Sequence, residues 1–378
     1  MPDLEKTSKI EFIDLKAQQR LIRNSIDARI SGVLSHGRYI MGPEIAELEE
    51  KLAAYTGEKY CISCGSGTDA LLMALMAYGV GPGDAIFTTT FTFVATAEVV
   101  RLVGATPVFV DIDRCTFNID TAKLSEAIEQ LSVRHPGLKP KGIIPVDLFG
   151  QPADYDEIGA IAKAHNLFVL EDAAQSFGAT YKGKRTGSLG DIAATSFFPA
   201  KPLGCYGDGG AVFCDDPSIA EKLRSIRVHG QGNDKYDNVR TGINGRLDTL
   251  QAAILLAKLE VLDDEVIRRD EVAGKYSALL TGKVVVPFVK DDRSSVWAQF
   301  SIMSESREKN IKALNAKGIP TAIYYPKPLH LQGAYKDLGY VKGDFPESEY
   351  VADRIFSLPM HPYLEDEQIR TITEAVSG

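Results

Sequence analysis

The run KGIIPVDLFG (141–150), followed by YDEIGAIAKAHN (155–166) and LFVLED (167–172), decides the fold. The first and last segments are short apolar runs bounded by Gly, Pro or Asp, as buried strands are. Between them Ile158, Ile161 and Ala162 recur at helical spacing. The alternation extends outward: DAIFTTTF (84–91) and TPVFVDID (106–113) read as strands, and TDALLMALMAYG (68–79) as a helix. From about residue 46 to 255 the pattern predicts an α/β class, a mostly parallel sheet with helices on both faces.

LDTLQAAILLAKLEVLDDE (247–265) reads as one long helix, after which the character changes. Residues 270–378 read as a smaller α+β unit. ALNAKGIPTAIYY (313–325) is helix, turn, strand, and DEQIRTITEAVS (366–377) is a closing helix. The boundary falls near 255, giving a large unit (1–255, with an N-terminal arm) and a small C-terminal one (256–378).

The 378 residues are 44% hydrophobic and 25% charged, ordinary for a globular protein. The net charge of −9 argues against a nucleic-acid backbone as partner. The opening MPDLEKTSKIEF lacks the basic start and apolar core of a secretory signal, and no run approaches the ~18 apolar residues of a membrane helix. The cysteines at 61, 64, 115, 205 and 214 do not form a disulfide framework. A cytoplasmic protein with no membrane partner is the expectation. The histidines at 36, 135, 165, 229, 330 and 361 show no metal-binding spacing, so no metal is expected. Cys61-x-x-Cys64 has no second pair and reads as buried cysteine. No G-x-S-x-G elbow surrounds Ser63–Ser66.

Polar residues at the carboxyl ends of the strands of such a sheet are the candidates for chemistry. In ISCGSGTDALL (62–72) a strand ends in Gly65-Ser66-Gly67 and a helix begins at Thr68, a cradle for phosphate or a plain strand-to-helix turn. The match to a dinucleotide fingerprint is loose, because Asp84 starts the next strand instead of ending it. In LFVLEDAAQSFGA (167–179), Glu171-Asp172 ends a strand and Gln175 follows. A carboxylate there suits a protonated pyridine nitrogen, a helix cap or a metal. In ATSFFPAKPLGCYGDGGAVFC (194–214), a strand runs into Pro199-Ala200-Lys201 and a glycine-rich turn. A lysine held on such a turn, next to Phe197-Phe198, is either placed for a Schiff base, with Ser196 adding a hydroxyl, or a solvated surface residue. Together the three supply a phosphate cradle, an acid for a ring nitrogen and a lysine for an aldehyde, in the chain order of enzymes that use pyridoxal 5′-phosphate (PLP).

The sequence resembles the DegT/DnrJ/EryC1/StrS family of nucleotide-sugar aminotransferases over nearly its whole length. The resemblance rests on GRYIMGPEIAELE (37–49), GSGTDALL (65–72), TFTFVATAEVV (90–100), GATPVFVDID (104–113), EDAAQSFGA (171–179), SFFPAKPLGCYGDGG (196–210), GINGRLDTLQAAIL (242–255), YYPKPLH (324–330) and SLPMHPYL (357–364). It implies the fold-type I, aspartate-aminotransferase-like architecture and PLP as cofactor. It implies Lys201 as the lysine that carries the cofactor and shuttles protons, Asp172 at the pyridine nitrogen and Gln175 near the phenolic oxygen. Gly67, Thr68 and Ser196 fall to the phosphate and Phe93 to the ring face. Asn244 would reach the phosphate from a neighbouring subunit, so a homodimer is implied. Arg246 would meet the anionic substrate, also across the dimer, and Tyr324, Tyr325 and His330 would line the sugar-nucleotide pocket. Ala200 and Pro202 flank Lys201 where the family often carries Ser or His. Lys327, after a Tyr-Tyr-Pro turn, is the nearest rival lysine and better suited to a substrate phosphate.

The reaction implied is transamination with L-glutamate as donor and a keto group on a nucleotide-linked sugar as acceptor. The wording of FIDLKAQ (12–18), HGRYIMGPE (36–44) and 90–100 is nearest to members that aminate C3 of a UDP-linked 2-acetamido-3-keto uronic acid for lipopolysaccharide O-antigen. Arg246 could then pair with the uronate carboxylate; diphosphate or the dimer partner are its other readings. Amination of dTDP-linked 3-keto sugars, or of UDP- or GDP-linked sugars at C4, is the alternative. An NAD-dependent oxidoreductase would lack its acidic residue and leave Lys201 without a role. A dehydratase relative would carry histidine at Lys201, and a DNA-binding regulator would need an added basic region.

Overall fold

The computed structural model describes residues 9–234 and 236–377. Residues 1–8 of the opening stretch, read above for a secretory signal, lie outside them. The chain begins with helices α1 (Leu15–Leu21), α2 (Arg23–His36) and α3 (Pro43–Thr56). Strand β1 (Tyr60–Cys64) then leads into α4 (Gly67–Ala77), β2 (Asp84–Thr89) into α5 (Ala95–Leu102), and β3 (Thr106–Val110) into α6 (Thr121–Glu129) and α7 (Leu131–Arg134). β4 (Lys139–Ile144), α8 (Tyr155–His165) and β5 (Phe168–Asp172) form the unit that the opening stretch predicts. A short hairpin, β6 (Thr180–Tyr181) and β7 (Lys184–Arg185), precedes β8 (Ile192–Ser196), β9 (Gly210–Cys214) and α9 (Pro217–Ile226).

Among the described residues seven strands form one sheet in the order β1-β9-β8-β5-β4-β2-β3. β9 runs antiparallel to β1 and β8, and the remaining pairs are parallel. Register decides where the site lies. Asp172 pairs with Ala194 of β8, while Cys64 and Ser196 both pair with Gly210 of β9. The carboxyl ends of β1, β5 and β8 therefore share one edge. On one face Met73 and Leu75 of α4 bury against Ile62, Leu170 and Val212; on the other, Leu48 and Leu52 of α3 bury with Leu255 and Leu256 against Phe213. Each such side chain contributes about 2 kcal/mol.

The helix expected over 247–265 is two helices, α10 (Thr249–Leu259) and α11 (Leu262–Leu280). Asp263, Asp264 and Glu265 crowd the first turn of α11, where the positive end of the helix dipole favours them and a new start over a continuation. α12 (Arg307–Ala316) follows the antiparallel strand β10 (Phe300–Met303), whose partner β11 (Ile355–Leu358) comes after α13 (Pro346–Arg354) and before α14 (Asp366–Ser377). The strand expected near 320–325 is only an isolated bridge from Ala322 to Ser357; Pro320 and Pro326 leave too few backbone donors beside it for a ladder. Tyr276, Phe300, Phe356 and Ile372 centre the C-terminal core, against which Ile10 also packs. The Met360 N–H donates to the carbonyl of Phe12 at 3.1 Å, so the N-terminal arm lies along this C-terminal core. No helix among the described residues is long and apolar enough to cross a membrane.

Candidate active site

A cavity of about 730 Å³ opens at the shared carboxyl edge of the sheet. β2 and β3 end at Thr89 and Val110, earlier than their apolar runs do. Phe91–Val94 is thereby left as a loop over the cavity. Gly67, Thr68, Phe93, Asp172, Gln175, Ser196, Lys201, Tyr324 and Tyr325 all line it.

Gly67 and Thr68 open α4, whose N-terminal N–H groups face the cavity end. Ser66 is the N-cap, its Oγ accepting from Asp69 N at 2.9 Å. The cradle is close-fitting. A Cβ on Gly67 would lie 2.6 Å from Ser196 Cβ, and one on Gly210 would lie 2.4 Å from Ser66 O. Glycine at both places lets β9 and the start of α4 approach.

Strand alternation splits Glu171 from Asp172. Glu171 is fully buried and accepts from Gly187 N and Leu189 N at 2.7 and 2.8 Å. Asp172 faces the cavity; its Oδ2 accepts from Thr96 Oγ1 at 2.8 Å and its Oδ1 from Ala174 N at 3.2 Å. Burial pushes the Asp172 carboxyl up, while these two bonds and the charge of Lys201 hold it down. Lys201 sits on the turn between β8 and β9. Burial pushes its amine down to about 8, against the opposing pull of Asp172. An amine titrating there exchanges protons at working pH.

Gln175 Oε1 accepts from Phe149 N at 2.8 Å, and its Nε2 donates to the Tyr325 hydroxyl at 3.3 Å. Burial raises the Tyr325 hydroxyl pKa, so it stays protonated. Phe93 is 54% exposed, its ring 6.4 Å from that of Tyr325.

Three expected residues lie apart from this cavity. His330 is buried and held on both sides, Nδ1 at 2.8 Å from Thr90 Oγ1 and Nε2 at 3.1 Å from Glu349 Oε1. Both of its ring nitrogens are engaged within the chain. Asn244 is exposed and bridges to Val228. Arg246 is partly buried, and its Nε has no hydrogen-bond partner among the described residues. Lys327 is exposed and does not line the cavity. Thr96 and Ser66 stand out in the structure and not in the sequence reading. Ser66 carries a signal, a serine opening a helix three residues before an acid; the role of Thr96 depends on the fold bringing α5 against β5.

A family model for DegT/DnrJ/EryC1/StrS aminotransferases matches residues 20–377. The chain belongs to that family. This aminotransferase is 51% identical over 370 residues, 98% of its own chain and 100% of the other, to the UDP-2-acetamido-2-deoxy-3-oxo-D-glucuronate aminotransferase of Pseudomonas aeruginosa. A crystal structure of a DegT/DnrJ/EryC1/StrS aminotransferase from Brucella abortus superposes with a TM-score of 0.95 at 52% identity, covering 97% of this chain and 98% of that one. NtdA of Bacillus subtilis, solved with the cofactor PMP bound, superposes at 0.88 with 30% identity, over 99% of this chain and 85% of that one. The fold is that of fold-type I aminotransferases, and the enzyme is PLP-dependent. The cavity fits that cofactor. A glycine-tight cradle of backbone N–H groups suits a phosphate, a buried carboxylate suits a ring nitrogen, and a lysine with a lowered amine pKa suits an aldehyde.

Proposed function

We propose that this aminotransferase transfers the amino group of L-glutamate to C3 of a UDP-linked 2-acetamido-3-keto uronic acid, supplying an amino sugar for O-antigen or another cell-surface polysaccharide. The likeness to the Pseudomonas aeruginosa enzyme, end to end at 51% identity, carries this reading. The cavity volume of about 730 Å³ has room for a cofactor with part of a sugar nucleotide.

When bound, PLP supplies an electron sink and a carbonyl that exchanges with the amino group. The chain supplies position and protons. Gly67 and Thr68, with the Ser196 hydroxyl, would hold the phosphate. Asp172, fixed by Thr96, would hold the ring nitrogen. Gln175, with the Tyr325 hydroxyl beside it, would meet the phenolic oxygen, and Phe93 would cover the ring. Lys201 would hold the cofactor through its amine, and its Nζ, lowered to about 8, is the chain's group for taking and returning a proton. Tyr324 and Tyr325 wall the sugar side.

Asn244 and Arg246 act across a homodimer in this reading. Exposure of Asn244 and the partnerless Nε of Arg246 support that placement, and Arg246 then meets the uronate carboxylate. The division into a large and a small unit belongs to the same reading, with the break between α10 and α11 marking the passage from one core to the other. We assign the reaction to the cytoplasm.

The test is a coupled assay of purified enzyme with glutamate and two acceptors, the UDP-linked 3-keto uronate and a dTDP-linked 3-keto 6-deoxy sugar. Formation of 2-oxoglutarate and an amino-uronate mass with the first alone supports the reading. Turnover of the second alone overturns the substrate assignment.

A further inference from the structure

The turn that presents Lys201 is closed by three backbone bonds: Phe197 N to Gly209 O at 2.7 Å, Lys201 N to Phe198 O at 2.8 Å, and Cys205 N to Phe197 O at 2.8 Å. It is also gripped from outside, and by a single helix. Lys258 of α10 is 2% exposed and donates from Nζ to the carbonyl of Gly204 at 2.5 Å. Its ammonium lies over the Tyr206 ring, 4.5 Å from the centroid. Gln251, two helical turns earlier on the same face, accepts from Tyr206 N at 2.9 Å through Oε1. Gly207 lies against that amide, where an added Cβ would come 3.0 Å from Gln251 Nε2.

A lysine so deeply buried is a costly way to fill space, since a methionine of similar length would avoid the desolvation penalty. The ionisable groups near its ammonium are Glu265 and Cys205. No ion pair between Lys258 and an acid is present among the described residues. What the ammonium holds is a backbone carbonyl three residues beyond Lys201.

We propose that Lys258, together with Gln251, is a positioning residue of the active site, fixing the turn so that Lys201 keeps its half-buried place in the cavity, under the influence of the Asp172 charge. The proposal rests on Lys201 being the cofactor lysine. Burial is what lowers the Lys201 amine, so a turn released from α10 lets water reach that amine and returns it toward a free lysine.

The experiment is pH-dependent acylation of the full-length, cofactor-free chain, with modification of Lys201 read by peptide mass spectrometry. The wild type should give a midpoint near 8. Lys258→Met and Gln251→Ala should each raise it by about one unit or more, toward the ~10.4 of an unperturbed lysine. In the holoenzyme both should lower kcat of the glutamate half-reaction about tenfold with little change in KM. Gln251→Ala separates position from charge, because it removes no charge, and it decides the matter if Lys258→Met fails to fold. Wild-type midpoints in both variants, whatever the loss of thermal stability, overturn the proposal. A wild-type holoenzyme that borohydride fails to fix at Lys201 overturns the cofactor-lysine assignment instead, a result the acylation midpoint does not depend on.

Discussion

The hydroxyl of Thr96, on α5, donates to Oδ2 of Asp172, at the end of β5, across 2.8 Å of buried space. It joins two elements far apart in sequence at the atom proposed to face the cofactor's ring nitrogen. A hydrogen bond to a charged group is worth about 1.5–3 kcal/mol. Thr96→Val removes it without removing volume, so cofactor affinity should fall about tenfold or more. Thr96→Ser should stay near wild type. Titration of cofactor-free enzyme with PLP checks both, and equal affinities in Thr96→Val and wild type would refute the role.

Gly67 has no room for a side chain, its Cβ position lying 2.6 Å from Ser196 Cβ. Gly67→Ala must push β8 away from α4, at about 1–3 kcal/mol for an overpacked site. Urea unfolding without cofactor should show that loss, and the purified variant should retain little PLP. Full retention would mean that the cradle is not where the phosphate sits.

His330 ties Thr90, just past the end of β2, to Glu349 of α13. His330→Ala removes one partner each from the buried Thr90 hydroxyl and the Glu349 carboxylate, which keep the N–H groups of residue 330 and of Gly343, and should cost about 1 kcal/mol or more of stability. The folded fraction should keep its KM for the sugar nucleotide within about threefold, under 1 kcal/mol of binding. A large rise in KM with unchanged stability would instead return His330 to the substrate pocket.

His361 is held neutral by burial, which pushes its pKa down to about 4, with the charge of Arg269 adding to the effect. Unfolding restores about 6.5. Between those values the unfolded chain binds more protons, so this group's contribution to stability is complete above about pH 6.5 and is lost as pH falls toward about 4. Lys201 acts in the same sense at higher pH, its contribution growing from about pH 8, its folded value, to about 10.4, its unfolded one. The difference in unfolding free energy between wild type and His361→Asn should therefore shift across the acid window. A constant difference would contradict a buried neutral His361.

Much of this was legible in the sequence because period and punctuation carried it. The β4–α8–β5 unit follows from apolar runs bounded by Gly and Asp, and the cavity ends of β5 and β8 place Asp172 and Lys201 together once the sheet is parallel. The break between α10 and α11 was hidden because apolar periodicity runs through Glu260 and Val261, while three acids reset the helix start. His330 is expected in the pocket from the resemblance alone, and its bonds to Thr90 and Glu349 have no local signature in the sequence. Thr96 and Lys258 have no local signature: each matters through a partner more than 50 positions away that only the fold supplies.

The most direct test of the central claim is borohydride reduction of the holoenzyme, followed by proteolysis and peptide mass mapping. Lys201 and Lys258 both have amines that burial pushes down to about 8, but of the two only Lys201 lines the cavity. A pyridoxyl mass is expected on the peptide containing Lys201, and it should be lost in Lys201→Ala. A pyridoxyl mass on Lys258 or Lys327, or none at all with PLP bound, would contradict the assignment of Lys201.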